Sequence, residues 1–178
     1  MFRPKKGMSI LDVGCGTGSY LEFYKRFQCE LFGIDPSPAM LDIAKERLGE
    51  SANLFHGSAD DMPYPDDCFD LIVSMLVMHE IDHELRLAVI DEIKRVLKPS
   101  GKILLIDFNP GPIQSFEGWK TKAIILLSEM AAGRKHFRNY RHFMSINGLH
   151  NLIESAGLVV EKQKIVGGGP LTLILLSK

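Results

Sequence analysis

The sequence has 178 residues, a length that suits one domain built around one sizeable core. Apolar residues make up 46% and charged residues 24%, and the formal net charge is −1. This balance, without a long run of like charges, argues against nucleic acid or a membrane as the main partner.

The cysteines and the first residues indicate the compartment. Cys15, Cys29 and Cys68 are scattered without CxxC spacing, which favours a reducing environment. The basic residues near the start are not followed by a long apolar segment, so neither a signal peptide nor a membrane span is predicted. We therefore expect a cytoplasmic protein.

Short apolar runs alternate with helical patterns over the first two thirds of the chain, which predicts βαβ units and a parallel sheet. The predicted strands are residues 8–13, 30–35, 52–56, 69–75 and 102–108. The predicted helices are residues 17–27, 38–48 and 83–97. Ser37 is placed to cap the second helix, Pro38 suits its first turn, and the turn 99–101 follows the third.

The last third of the chain differs in composition. An apolar helix runs through residues 123–127 and ends at Gly133, a basic and aromatic loop covers 134–143, and a last helix covers 145–156. Strands at 158–166 and 171–176 are joined by a glycine-rich turn. That tight joint predicts an antiparallel hairpin at the end of the sheet.

A glycine loop lies between the first predicted strand and helix, with the sequence Asp-Val-Gly-Cys-Gly-Thr-Gly over residues 12–18. Glycines allow a sharp turn and close approach of a ligand to the backbone, and the helix start adds free N–H donors. Asp35 ends the next strand, where a carboxylate can accept both hydroxyls of a ribose. The loop and the acid together indicate an adenosine-type ligand.

Other readings of the loop fit less well. A dinucleotide fingerprint requires a third glycine where this chain has Ser19, and no Gly-Lys-Ser/Thr follows for a nucleoside triphosphate loop. A nicotinamide oxidoreductase is therefore disfavoured. An ordinary strand-to-helix turn is the remaining alternative, and the position of Asp35 argues against it.

The stretch 10–18 resembles the first motif of class I S-adenosylmethionine methyltransferases, most of all the branch that includes the ubiquinone and menaquinone biosynthesis enzymes. Four further segments resemble later motifs of that family in the same order: 33–41, 57–64, 69–79 and 95–102. The resemblance covers essentially the whole chain. It implies one domain over residues 1–178 with S-adenosylmethionine as cofactor and S-adenosylhomocysteine as product. It also implies a doubly wound α/β sheet, Rossmann-like, of seven strands in the order 3-2-1-4-5-7-6, with strand seven antiparallel and helices on both faces.

The resemblance also assigns the cofactor site. It implies that Gly14 and Gly16 pack against the methionine part and that Asp12 helps to hold the ammonium group. Asp35 takes the ribose hydroxyls. The other implied positions are Cys15 and Gly18 in the loop, Pro36 and Met40 beside the adenine, Ala59 and Asp60 at its polar edge, and the main chain of Ser74 and Met75 near the methionine amine.

The chain departs from the family pattern at three places. Ser58 stands where the adenine loop often has an acid, and Glu80 stands where a second histidine often follows His79. Members usually carry helices ahead of the first motif, whereas only a few residues precede the first strand here. A homodimer is one way to cover the substrate, and residues 109–144 are expected to form a substrate-side insert.

Methyl transfer from a sulfonium requires an oriented acceptor and exclusion of water, and a general base only if the acceptor must lose a proton. His79 is the candidate base, because it follows the fourth strand at the ligand-binding end of the sheet. Candidate acceptor-binding residues are His83, Trp119, Tyr140 and His142, and a cationic group that would suit an anionic acceptor is Arg134, Lys135, Arg138 and Arg141. Each of these residues also has a purely structural explanation. It could be a core side chain, a side chain with a local hydrogen bond, or a solvated surface side chain.

Two further functions remain open. His79-Glu80-Ile81-Asp82-His83 matches the zinc peptidase signature H-E-x-x-H, although the preceding residues look like a strand rather than the required helix, so no metal is expected. A non-catalytic, cofactor-binding or partner-dependent protein of the same fold is the second alternative. The favoured function is methyl transfer to a small-molecule acceptor, without nucleic acid as a partner.

Overall fold

The computed structural model describes residues 2–178, which form seven strands and six α-helices. The strands are β1 (Ser9–Val13), β2 (Glu30–Asp35), β3 (Asn53–His56), β4 (Phe69–Met75), β5 (Leu97–Phe108), β6 (Val159–Val166) and β7 (Leu171–Ser177). The helices are α1 (Ser19–Lys25), α2 (Pro38–Leu48), α3 (His83–Val96), α4 (Phe116–Ala131), α5 (Arg134–Ser145) and α6 (Leu149–Ser155). A short 3-10 turn, Gly49–Ser51, follows α2.

The strands form one sheet in the order β3-β2-β1-β4-β5-β7-β6, which confirms the predicted topology. Strands β1 to β5 are parallel, and β7 is antiparallel to both β5 and β6. Val13 at the end of β1 lies between Ile34 of β2 and Ser74 of β4. Three carboxyl ends therefore meet where open α/β sheets bind ligands.

The sheet separates two apolar layers. Successive side chains of a strand point to opposite faces, so Leu11 joins one layer and Ile10 the other. Residues of α3 and α6 cover the first face, and residues of α1 and α2 cover the second. Because both faces are buried, the central strands are continuous apolar runs rather than alternating ones.

Side-chain caps fix where three helices begin. Ser37, Asp82 and Ser115 each accept a hydrogen bond from the backbone N–H three residues later, at the starts of α2, α3 and α4. The cap at Ser37 and the start of α2 at Pro38 agree with the prediction. The Asp82 cap matters for the site, because it starts α3 at His83 and leaves the preceding residues outside the helix.

Strand β5 begins earlier than predicted. The expected turn 99–101 lies within β5, which starts at Leu97 rather than at Lys102. Leu97 pairs with Phe69, and regular pairing resumes only where Lys102 pairs with Leu71. The extra residues of β5 are accommodated as a bulge, so the proline and glycine mark an irregularity in the strand rather than its beginning.

The segment 134–143, predicted to be a loop, is helical. It forms most of α5, and Tyr140 and Phe143 are buried while the arginines lie on the exposed side. The alternation of buried aromatic and exposed basic positions has helical periodicity, which the basic composition of the segment obscured. The next helix starts at Leu149 instead of Ser145, because Asn147 and Gly148 have φ values of 67° and 58° and interrupt it.

Helix α4 is longer than the apolar run that predicted it. It extends from Phe116 to Ala131, whereas the sequence pattern located only its middle. Within residues 2–178, no helix has the length and apolar character needed to cross a bilayer.

Candidate active site

The glycine loop connects β1 to α1, and Gly14, Gly16 and Gly18 all have positive φ values of 72°, 51° and 74°. A Cβ atom at Gly18 would lie 2.7 Å from the Cδ1 atom of Leu48, so this glycine allows α1 and α2 to pack closely. A Cβ atom at Gly16 would meet nothing within 4 Å. Gly16 therefore leaves open space in front of the loop that a side chain would fill.

Asp35 holds the loop in place. Its Oδ2 atom accepts a hydrogen bond of 2.8 Å from the N–H of Gly16, and its Oδ1 atom accepts one of 2.9 Å from the N–H of Ser37. These two bonds fix the orientation of a buried carboxylate at the end of β2. Each oxygen retains a further lone pair with which it can accept a hydrogen bond from a hydroxyl group.

Asp12 is in a different state. It is 2% exposed, and its Oδ2 atom has no hydrogen-bond partner within residues 2–178. Burial and the charge of Asp35 raise the pKa of Asp12 from 3.8 to about 7. Nearby on β4, the buried hydroxyl of Ser74 is also without a partner in the described part of the chain. Buried polar groups of this kind suit a ligand that is cationic or forms hydrogen bonds.

A cleft of about 380 Å³ opens at this end of the sheet, within the range of ligand-binding pockets. Its walls are Gly14, Gly16, Asp35, Pro36, Ser37, Met40, Met75, Leu76, Val77, Glu80 and Ile81. A narrower, mostly apolar slot lies alongside and is lined by Gly57, Ser58 and Ala59 among others. A cleft with a few polar side chains beside an apolar slot has the form required by a nucleoside with a charged tail.

The sequence-predicted cofactor residues divide into two groups. Gly14, Gly16, Asp35, Pro36, Met40, Ala59 and Met75 line the cleft or the slot. The other five do not line either cavity. Asp12 and Ser74 are buried at the neighbouring strand ends, and Cys15 and Gly18 pack in the interior. Asp60 is exposed outside both cavities. Burial raises the pKa of the Cys15 thiol to about 12, so this cysteine is unreactive.

His79 is 2% exposed and is held from two sides. Its Nδ1 atom lies 2.7 Å from Oδ1 of Asp107, and its Nε2 atom lies 3.5 Å from Oε1 of Glu129. Burial alone would lower the pKa of His79, but the hydrogen bond to Asp107 and the charges of Asp107, Glu129 and Glu80 raise it overall. The imidazole is therefore stabilised as a cation between two acids.

Comparison with known proteins identifies the family. Residues 11–105 match the family described as the methyltransferase domain. The chain is 28% identical over 94% of its length to an uncharacterized methyltransferase of Synechocystis, of which it covers 74%. It is 27% identical over 88% of its length to a demethylmenaquinone methyltransferase of Listeria welshimeri, of which it covers 72%. The match to the family covers more than half of the chain. The chain belongs to the methyltransferase domain family.

Solved structures agree at the level of the fold. A methyltransferase of Aquifex aeolicus, described as dependent on S-adenosylmethionine, superposes with a TM-score of 0.67 and 22% identity. The alignment covers 97% of the present chain and 82% of that protein. The protein thus combines the match to the methyltransferase family with the fold of an enzyme that depends on S-adenosylmethionine. The unpaired carboxyl of Asp12 and the open space at Gly16 fit the ammonium group and the body of that cofactor.

Glu80 is a residue of the methyltransferase that the motif comparison noted only as a departure. It lines the cleft, and its Oε1 atom lies 4.0 Å from Nε2 of His79. The side chain of Glu80 is 47% exposed, so its burial is partial. That partial burial raises its pKa, and the carboxylates of Glu129 and Asp107 add to this, although His79 and His136 counteract it. Its position directly after His79, at the carboxyl end of β4, was the available signal.

Asp107 and Glu129 were missed as well. Asp107 is close to the end of β5, so an acid at the ligand-binding end of a strand was visible in the sequence. Glu129 is a lone acid near the end of the apolar helix α4, and it is buried. Its contact with His79 could not be predicted, because the path of the segment after β5 has no motif.

The proposed acceptor residues are not all brought together. Tyr140 is buried with its ring 6.3 Å from that of His79, and Trp119 is 61% exposed on α4. His83 and His142 form a separate pair with ring centroids 5.4 Å apart. The buried Arg86 bonds to His142 and to the carbonyl groups of Met78 and Asn139, which ties α3 to α5.

The geometry required by the zinc signature is not formed. Helix α3 begins at His83, so His79 does not share a helical face with it. The imidazole of His79 bonds to Asp107, while that of His83 packs beside His142. Within residues 2–178, no group of histidine, cysteine and acidic side chains has a metal-binding arrangement.

Proposed function

We propose that the chain transfers a methyl group from S-adenosylmethionine to a small acceptor with an apolar ring. The observation that carries the cofactor part is the buried, unpaired Asp12 beside the glycine loop that Asp35 holds. The acceptor part rests on the likeness to demethylmenaquinone methyltransferases and on the apolar residues Met75, Leu76, Val77 and Ile81 along one wall of the cleft.

The cofactor residues take distinct roles in this proposal. Asp35 accepts hydrogen bonds from the ribose hydroxyls. Asp12, with help from Ser74, accepts hydrogen bonds from the ammonium group. Gly14 and Gly16 let the cofactor approach the backbone. Pro36, Met40 and Ala59 surround the adenine. Asp60 contacts the exposed edge of the adenine and Met75 the methionine part, while Cys15 and Gly18 act by shaping the loop.

The bound cofactor supplies a methyl group already activated on a sulfonium, so the protein has to orient the acceptor and receive its proton. We infer that Glu80 receives the proton, because it lines the cleft and because partial burial and the nearby carboxylates raise its pKa. His79 is then a positioning residue: Asp107 and Glu129 hold it, and it adjoins Glu80. The insert 109–144 supplies Glu129 and Tyr140 to this acceptor side.

The first experiment is calorimetric titration with S-adenosylmethionine and S-adenosylhomocysteine, with NAD as the control ligand. We expect both to bind and NAD not to bind. Asp35→Ala should weaken binding at least 100-fold, about 3 kcal/mol, since it removes a carboxylate that bonds the ligand and holds Gly16. Asp42→Ala, an exposed acid on α2 paired with Lys45, is the matched control. Equal affinity for Asp35→Ala and the native protein would show that the ribose assignment is wrong.

The proton acceptor is tested with reduced demethylmenaquinone as the first acceptor. Its electron-rich ring carbon would take the methyl group, and the proton on that carbon must leave. Glu80→Gln should lower kcat roughly 100-fold and remove the acidic limb of the pH profile. Binding of S-adenosylhomocysteine should stay unchanged. Absence of turnover in the native protein, with cofactor binding intact, would reject this acceptor class and favour another acceptor or a non-catalytic role.

A further inference from the structure

Helix α4 has its apolar residues on the outside. The side chains that face the rest of the protein include Gly118, Lys122, Ile125 and Glu129, whereas Phe116, Trp119, Ile124, Leu126, Leu127 and Met130 are between 42% and 74% exposed. A helix on the surface of a soluble domain normally shows the opposite arrangement. Exposed apolar surface of this extent on one element marks a site of interaction.

The exposed apolar residues form one broad stripe. At 3.6 residues per turn, these side chains cover an arc of about 160° around the helix axis. Leu126 and Ile124 lie at the two edges of the arc, and Phe116 lies near its middle. The stripe runs along the whole length of α4, about four turns. It is a convex surface rather than a groove, so it suits a broad, deformable partner more than an inserted side chain.

Helix α5, the neighbour of α4, adds positive charge to this part of the molecule. It follows α4 after two residues and contacts it. Its exposed cations are Arg134, Lys135, Arg138 and Arg141, none of which has an ion-pair partner within the described chain, residues 2–178. Arg134, Arg138 and Arg141 line a shallow groove of about 340 Å³ together with Phe137 and His142.

The low net charge of the whole chain conceals this local excess. From α4 to α5, six lysine and arginine residues stand against two acidic ones, while the chain as a whole has a net charge of −1. One of the two acids, Glu129, is buried against His79. On α4 itself, Lys120 and Lys122 lie over the rings of Phe116 and Trp119.

The combination distinguishes between possible partners. A second copy joined through α4 would bring two cationic helices close together, which is unfavourable. Nucleic acid would match the arginines but would leave the apolar stripe uncovered. An anionic bilayer accommodates both, because its acyl boundary receives apolar side chains and its phosphates receive lysine and arginine. A tryptophan within the stripe suits that interface.

We propose that α4 and α5 together form a docking surface for an anionic phospholipid bilayer. The apolar stripe of α4 enters the boundary between head groups and acyl chains, and the cations of α5 contact the phosphates. This docking does not depend on the identity of the acceptor. It adds to the proposed function a route by which a membrane-dissolved acceptor reaches the cleft.

The chain carries its own reporter for this surface, because Trp119 is its one tryptophan. The probe is a vesicle of phosphatidylcholine and phosphatidylglycerol in equal parts, with pure phosphatidylcholine vesicles as the comparison. We expect the emission of Trp119 to shift to the blue with the anionic vesicles and the protein to float with them on a density gradient. High salt should weaken both effects.

Two variants test the two halves of the surface. Ile124→Asp with Leu127→Asp removes apolar contacts, and Arg134→Glu with Arg138→Glu and Arg141→Glu reverses the charges. Each should lower partitioning to anionic vesicles about tenfold or more. The matched controls are Ile43→Asp on α2, and Lys45→Glu with Lys162→Glu and Lys164→Glu on α2 and β6, all at exposed positions. Binding of S-adenosylhomocysteine serves as the test of folding in every variant.

The outcomes separate the partners. Binding that both test variants lose and both controls keep supports bilayer docking. A native protein that binds S-adenosylhomocysteine but not anionic vesicles overturns the proposal. A blue shift that grows with protein concentration in the absence of lipid, with no flotation, overturns it in favour of a second copy. If the charge controls lose as much vesicle binding as the test variants, the proposal that this specific surface docks is overturned. Binding would then reflect a general attraction between the positively charged protein surface and the anionic vesicles.

Discussion

Two neighbouring aspartates show how position alone separates their chemistry. Asp35 accepts two backbone hydrogen bonds and holds the loop. Asp12, at the adjacent strand, is buried with an unpaired oxygen, and the charge of Asp35 adds to the burial that raises its pKa. Asp12 in its ionised form therefore destabilises the free protein, and a cationic ligand group would relieve that cost.

The state of Asp12 leads to a prediction about stability and binding. Because its pKa is raised from 3.8 to about 7, the folded protein holds a proton that the unfolded chain has lost, so stability falls as the pH rises between these values. Asp12→Asn removes this fall. We expect its free energy of unfolding above pH 7 to exceed that of the native protein by on the order of 2 kcal/mol. Its affinity for S-adenosylhomocysteine should decrease at least tenfold.

Chemical denaturation below and above pH 7, together with calorimetry, tests both parts of this prediction. Asp42→Asn is the control for a general effect of removing one negative charge. A variant that is stabilised yet binds the cofactor product normally would remove Asp12 from the binding site. One that is destabilised at high pH would show that the ionised carboxyl has a partner in the free protein.

The pair of His79 and Asp107 gives a second prediction about how stability depends on pH. The pKa of His79 is raised above 6.5, so the contribution of the pair to stability is complete below that pH and is lost as the pH rises through the folded value. Asp107→Asn should cost about 3 kcal/mol at low pH and less in alkaline solution, since it leaves a buried cation with one carboxylate fewer. Asp70→Asn, which loses a partly exposed pair with Lys98, should cost under about 1 kcal/mol. Equal costs at every pH would mean that His79 is neutral in the fold.

At the scale of elements, α4 and α5 are built in opposite ways. Helix α5 turns Tyr140 and Phe143 inward and its arginines outward, whereas α4 turns Glu129 inward and its apolar residues outward. Arg86, fully buried on α3, bonds to the backbone of α5 and secures that helix to the core. Among the helices and strands, α4 makes most of its contacts with α5.

The difference between the two helices predicts a difference in mutational cost. Phe143 is fully buried and belongs to the main core, while Phe116 is 74% exposed. Phe143→Ala should lower the free energy of unfolding by about 3–5 kcal/mol, because it removes buried area and leaves a cavity. Phe116→Ala should change it by less than about 0.5 kcal/mol. Urea denaturation of both variants measures the contrast, and a large cost at Phe116 would mean that α4 is covered in the free protein.

For the molecule as a whole, the features that could be predicted are those that match a known sequence motif. The strand order and the place of Asp12 followed from the family resemblance, and the capped start of α2 followed from Ser37 and Pro38. The meeting of Gly16 and Asp35 followed from the glycine loop and the acid at the next strand end. The bulge in β5 and the helix at 134–145 did not, because pairing register and tertiary burial decided them. Likewise, the contact of Glu129 with His79 depends on how α4 packs at the end of the sheet.

The antiparallel insertion of β7 between β5 and β6 has a consequence for biosynthesis. Strand β5 leaves the ribosome long before its second neighbour, since Phe108 pairs with Leu171 and Ile103 with Leu176. Until residues 171–177 are released, the nascent sheet has an open apolar edge of the kind that pairs with other chains. The cofactor end of the sheet can assemble early, but the protection of β5 depends on β7, which is translated much later.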